Sequence, residues 1–353
     1  MQKALPQTNY PHPKDLTPPW HVAEDYEGTV LIWDLDKTYL ATEFESLWGL
    51  IKTAFEAPEK KKNISGTVAL LKHLRRDTAQ AGRGEAPLFF ISATPPQMRK
   101  KIEAKFKLDG LDFTHIYFKD QWRHMKRGEF RMMRNHVGYK IIQLIRIWYH
   151  LPKTCQLILF GDDMEGDTLS YNLFADICNH TLTGKSLIYL LRDLGISRRE
   201  AIPISYWQRS LPPFDPIEKI YIHLVSKTDP QYYAKYGDRV FPSRNAFQIA
   251  LSEYFAGRLK AEGVSAVAYE MHVKDGLSTF KIRKSAEDFL KRKKLKNQWE
   301  DSLWDSLMVQ HLLDEKPAAN GRDFVKTVEL LRDPIEASTE DLRIRMKYYD
   351  DIR

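Results

Sequence analysis

The stretch Thr29-Val30-Leu31-Ile32-Trp33-Asp34-Leu35-Asp36-Lys37-Thr38 decides how the chain is read. Residues 29–33 form a β-favouring, mostly apolar run that ends on two aspartates. A short continuous run of this kind is the pattern of a strand buried on both faces. Four further segments share it, at 88–91, 113–118, 157–160 and 220–225. Between them the apolar period changes to that of a helix. Ile141, Leu144, Ile145 and Trp148 fall on one helical face, as do Val68, Leu71 and Leu74, and again Met98, Ile102 and Phe106. Strands alternating with helices predict a parallel sheet with right-handed crossovers, a three-layer Rossmann-like α/β fold.

Outward from this core the chain changes character. Pro6, Pro11, Pro13, Pro18 and Pro19 make residues 1–27 an extended lead-in to a body expected at 28–260. The connection between the fourth and fifth strands is long. From about 167 to 218 it reads as helices at 168–177 and 185–194 followed by a Pro-rich connection, with a helical insertion placed at about 179–218. Ala246, Ile249, Ala250 and Tyr254 mark a further amphipathic helix within 245–259. Residues 261–353 read as a mostly helical appendage.

Composition excludes several classes. The 353 residues are 43% apolar and 29% charged, which is globular and neither disordered nor collagen-like. Cys155 and Cys178 cannot build a disulfide framework or a Cys-rich zinc site and are expected as core thiols. No apolar run approaches the ~18 residues of a membrane span, and the N-terminal stretch has no apolar signal core. A cytoplasmic protein is therefore expected.

The 54 basic against 47 acidic residues leave a net charge of +7. Between 281 and 296 eight basic residues face only Glu287 and Asp288, a local surplus of +6, so the rest of the chain is nearly neutral. That segment, leading to Trp299, Leu303, Trp304, Leu307 and Met308, has three readings. It packs as a charged helix, it touches an anionic membrane surface, or it contacts nucleic-acid phosphates. A second basic cluster comprises Arg123, His124, Lys126, Arg127, Arg131 and Arg134. It reads either as a solvated face or as a collar for an anionic substrate.

The ends of the apolar runs carry the chemistry. Side chains two apart on a strand point the same way, so Asp34 and Asp36 are expected to aim together from the carboxyl end, where open α/β sheets place ligands. Two such carboxylates need a cation between them or a shared proton. Alone, the pattern is equally a solvated turn. The second run ends in Ser92-Ala93-Thr94-Pro95, an anion site or a helix cap. The fourth ends in Gly161-Asp162-Asp163-Met164-Glu165-Gly166-Asp167, a density of hard oxygen donors that suits Mg²⁺. Lys140 opens the helix before it. Asp34, Asp36, Asp162, Asp163 and Asp167 would repel a bare phosphate dianion, whereas Mg²⁺ together with Lys140 would admit one. The set points to phosphoryl transfer. Thr183-Gly184-Lys185-Ser186 lacks the first glycine of a P-loop, and the eleven histidines show no zinc-site spacing.

In this order the motifs resemble the haloacid dehalogenase superfamily of aspartate-nucleophile phosphatases. Within it they resemble the actin-patch-associated phosphatidate phosphatase family. The residues concerned are Asp34-Leu35-Asp36-Lys37-Thr38, Thr42-Glu43-Phe44, Phe90-Ile91-Ser92-Ala93-Thr94-Pro95, Lys140-Ile141-Ile142, and Gly161-Asp162-Asp163 with Asp167 and Tyr171. The resemblance implies a haloacid dehalogenase-like catalytic domain at 28–260 and a Mg²⁺ cofactor. It implies Asp34 as nucleophile and Asp36 as general acid and base. Thr38, Ser92, Ala93 and Lys140 would contact the phosphorylated substrate. Asp34, Asp36 (through its carbonyl) and Asp162 would ligate the metal, with Asp163 or Asp167 behind them. A phosphatidate-like lipid is the leading substrate. A soluble or nucleic-acid phosphate, and a non-enzymatic module docking through 281–296, remain the alternatives.

Overall fold

The computed structural model describes residues 11–36, 38–39, 63–119, 136–226, 228–293, 301–317 and 348. Six strands, β1 (Thr29–Asp34), β2 (Leu88–Ser92), β3 (His115–Phe118), β4 (Gln156–Asp162), β5 (Ile217–His223) and β6 (Val240–Ser243), form one sheet in the order β3-β2-β1-β4-β5-β6. Every pairing is parallel. The five expected strands are present with shifted ends, and β6 is an addition. At four residues with Pro242 inside, β6 carries no strand pattern. It is tolerated because it lies at the sheet edge, where a missing N–H removes no ladder bond.

The helices follow as α1 (Thr67–Asp77), α2 (Arg99–Asp109), α3 (Val137–His150), α4 (Asp167–Cys178), α5 (Gly184–Asp193), α6 (Arg198–Gln208), α7 (Ala246–Phe255), α8 (Ala261–Tyr269), α9 (Thr279–Lys293) and α10 (Asp301–Val309). Alternation along the strands sorts them into two layers. Val30, Ile32, Phe89, Ile91, Leu157 and Leu159 enter the apolar cluster that takes in α3 to α6. Their strand neighbours Leu31, Trp33, Leu88, Phe90, Ile158 and Phe160 enter the opposite cluster, with α1, α2 and α7 to α10. The result is the expected three-layer fold. Both cysteines are buried, unbridged thiols.

The insertion differs from its expected form in one respect. The supposed Pro-rich connection contains α6, with Pro203 inside it. A capping box, in which Ser197 and Glu200 satisfy each other's backbone and side chain, starts that helix strongly enough to tolerate the lost hydrogen bond.

The described residues after 260 are mostly helical and are part of the body's second layer. Val264, Val267, Ile282, Ala286, Phe289 and Trp304 are buried in the cluster that also holds Trp33 and Phe160. A Glu270 carboxylate accepts hydrogen bonds from the Val68 and Ala69 N–H groups at the start of α1. On α9, Arg283 pairs with Glu287 and Asp314, Lys284 with Glu287, and Arg292 with Asp288. Three of the segment's eight basic side chains are thus paired, with the segment's own Glu287 and Asp288 among the partners. Residues 294–300, including Trp299, and the cluster from Arg123 to Arg134 lie outside the described residues. No described helix is long and apolar enough to cross a membrane.

Candidate active site

The chain runs outward from β1 through β2 to β3, then returns to place β4 on the other side of β1. This reversal leaves a crevice beyond the carboxyl ends of β1 and β4, where sheets of this type bind ligands. Asp34 is the last residue of β1 and Asp162 the last of β4. Both are completely buried.

Lys140, in the first turn of α3, is 1% exposed and fills the same crevice. Its ammonium is 3.0 Å from Asp34 Oδ1, 3.6 Å from Glu165 Oε2, and bonded to Asp167 Oδ1. Burial opposes its charge, yet Asp167, Asp34 and Glu165 outweigh burial and hold its pKa well above the ordinary value. Asp167 has a second task, since its Oδ2 accepts the Asp162 N–H at 3.0 Å. Gly161 makes this possible: a Cβ there would stand 2.4 Å from Asp167 Cβ. The glycine is needed for close approach, not for backbone freedom.

Asp34, Asp162 and Glu165 form an acidic cluster, with one ligand atom of each within 4.8 Å of the others. Asp162 Oδ1 accepts from the Met164 and Glu165 N–H groups at 2.6 and 2.8 Å. Its Oδ2, Asp34 Oδ2 and Glu165 Oε2 are buried and receive no hydrogen bond from the described residues. Burial drives the Asp34 carboxyl well above the usual range, against Lys140 and with help from Asp167. Burial, then Asp167, pushes Asp162 up to about 7. Burial likewise pushes Glu165 to about 8 despite Lys140. Buried carboxylate oxygens without donors are costly unless they take protons or a cation, so the donor set fits a hard divalent ion.

Residues 29–183 match the family described as phosphatidate phosphatase APP1, catalytic domain.

That family is haloacid dehalogenase-like, and the match supports a phosphatase-type hydrolase. No curated protein and no solved structure matches the chain. The matched segment contains β1 to β4 and every site residue named so far.

Within the APP1-type segment, Asp36 lies two residues past the end of β1. β1 ends at Asp34, so the strand alternation does not extend two residues on. The Asp36 carboxyl instead receives the Ser92 hydroxyl at 2.9 Å and the Thr94 hydroxyl at 3.0 Å. The Thr94 N–H in turn donates to Ser92 Oγ at 3.0 Å. Ser92 and Ala93 are buried at the end of β2, and Thr38 is buried with no hydrogen-bond partner for its hydroxyl among the described residues. The Tyr171 hydroxyl donates to the Phe160 carbonyl at 2.9 Å, next to Gly161 and Asp162 at the end of β4.

Two metal assignments change. Asp163 points away from the cluster: its carboxylate takes the Val225 and Ser226 N–H groups and the Thr228 hydroxyl. Despite partial burial, these bonds hold its pKa below the ordinary value. Adjacent residues on the way out of a strand face opposite sides, so Asp162 and Asp163 cannot both serve the crevice. Asp167 is occupied by Lys140 and the Asp162 amide, a supporting position. Glu165 takes the third place in the cluster. Its sequence signal was its position inside the acidic loop, which gave it no precedence over its neighbours.

Lys119, the first residue past β3, was also missed. It is 1% exposed, and its N–H donates to the Ser92 carbonyl at 3.1 Å. Only its position after the third apolar run could have marked it.

Proposed function

We propose that this site hydrolyses phosphomonoesters with Mg²⁺ through an aspartyl-phosphate on Asp34, with a phosphatidate-like lipid as the leading substrate. The observation that carries the reading is the buried Asp34, Asp162 and Glu165 cluster with donor-free oxygens beside Lys140. Asp34, Asp162 and Glu165 would hold the ion. When bound, Mg²⁺ supplies positive charge against the phosphoryl oxygens and polarises the phosphorus.

The chain's own residues supply the remaining steps. A carboxylate oxygen of Asp34 bonds to phosphorus, and the bond to the leaving oxygen breaks with its electron pair. Asp36, carrying a proton, gives it to that oxygen. Asp36 then takes a proton from water as the water oxygen bonds to phosphorus. The bond to Asp34 breaks, inorganic phosphate leaves, and both aspartates return to their starting forms. Lys140 and Ser92 hold the phosphoryl oxygens. The family match to a phosphatidate phosphatase domain favours the lipid.

The test is phosphate release from p-nitrophenyl phosphate and from phosphatidate in mixed vesicles, with Mg²⁺ or with chelator. Release should require Mg²⁺ and fall by at least about 10³-fold in Asp34→Asn. Undiminished release in Asp34→Asn would sink the mechanism. Preference for soluble phosphates over the vesicles would remove the lipid.

A further inference from the structure

Two buried lysines approach the carboxyl edge of the sheet. Lys140 is surrounded by Asp34, Asp167 and Glu165, so the acidic cluster absorbs much of its charge. Lys119 comes from β3, one strand beyond Ser92 and two beyond Asp34. Neighbouring strands are ~4.8 Å apart, so the long side chain can reach ligand held at the Ser92 end. The backbone bond from Lys119 to Ser92 locks its position to that residue. Its ammonium is 3.5 Å from His136 Nδ1, at the N-terminus of α3, and 6.0 Å from the Tyr139 ring centre.

Glu200, on α6 in the insertion, provides the charge that makes this burial tolerable. It is 2% exposed and raises the Lys119 pKa against burial. Gly138, in the first turn of α3, leaves it room, because a Cβ there would be 2.9 Å from the Glu200 carboxyl carbon. An ammonium is strongly hydrated and rarely buried. Here two elements from different parts of the chain are shaped to keep one at the edge of the crevice.

We infer that Lys119 is a second phosphate-binding residue of this site, contacting the substrate's phosphoryl oxygens from the β3 side. The inference rests on the phosphatase reading and adds a residue outside its motif set. A phosphomonoester dianion brings two charges to an edge already crowded with carboxylates. The Lys119 ammonium, set against Glu200 and Glu165 rather than against Asp34 and Asp167, adds a second positive charge from the β3 side.

Phosphate affinity tests this without turnover. The full chain, with Mg²⁺, is titrated with inorganic phosphate by thermal shift and calorimetry, and KM and kcat for p-nitrophenyl phosphate are measured alongside. Lys119→Met should weaken phosphate binding and raise KM by about tenfold or more, as expected for a charged hydrogen bond. The Mg²⁺ requirement should stay unchanged, and Lys119→Arg should recover most of the affinity. Wild-type phosphate affinity in Lys119→Met would overturn the inference. If Lys119→Met does not fold, Lys119→Gln and Lys119→Arg decide the matter by the same affinities. A wild-type chain that binds phosphate through Lys119 but hydrolyses nothing would defeat the phosphatase reading and leave this one standing.

Discussion

Lys140 Nζ lies 3.0 Å from Asp34 Oδ1, with both side chains shut away from solvent. The lysine comes from the helix after β3 and the aspartate from the end of β1, so the pair joins two elements far apart in sequence. Removing the lysine leaves three carboxylates without compensation.

Lys140→Met should therefore destabilise the protein by about 3–5 kcal/mol in urea unfolding and abolish phosphate release. Adding Asp167→Asn should recover part of the stability, because one uncompensated charge goes. It should recover no activity. Additive losses of stability in the double variant would contradict the coupling.

The acidic loop makes an asymmetric prediction. Glu165→Gln should raise the Mg²⁺ concentration for half-maximal activity by about tenfold or more, since it removes a member of the cluster. Asp163→Asn should leave that concentration unchanged. It should instead cost about 1–2 kcal/mol of stability by weakening the bonds to Val225, Ser226 and Thr228. Metal titration and chemical unfolding of the two variants distinguish these outcomes.

Gly161→Ala should behave as a site mutation although it removes no functional group. The new Cβ would displace Asp167, which bonds both Lys140 and the Asp162 amide. The expected cost is about 1–3 kcal/mol, with activity falling more than stability implies. Wild-type kcat in this variant would show that Asp167 need not be fixed.

Lys119 sets a pH dependence. Burial, with Lys140 acting in the same direction, depresses its pKa to about 8 against Glu200 and Glu165. His136 and Tyr139 also lie beside it. A lowered lysine pKa means the ammonium is present below that value and lost above it. KM for a phosphomonoester should accordingly rise by about tenfold between pH 7 and 9, with kcat less affected. Lys119→Arg stays charged and should hold KM nearly flat across that range. Parallel profiles for the two proteins would refute the assignment.

By itself the sequence determined the layered α/β fold and which strand ends carry Asp34, Ser92 and Asp162, because apolar period and strand order are local properties of the chain. It also marked Lys140 through the company it keeps. Tertiary structure alone decided which oxygens share one space. Asp36 turns to Ser92 and Thr94 because β1 stops two residues earlier, and Asp163 leaves while Glu165 enters because the turn after β4 reverses their facing. Lys119 and Glu200 are 81 positions apart in sequence, and no local pattern links them. Burial in a shared low-dielectric space couples their charges, and folding creates that space.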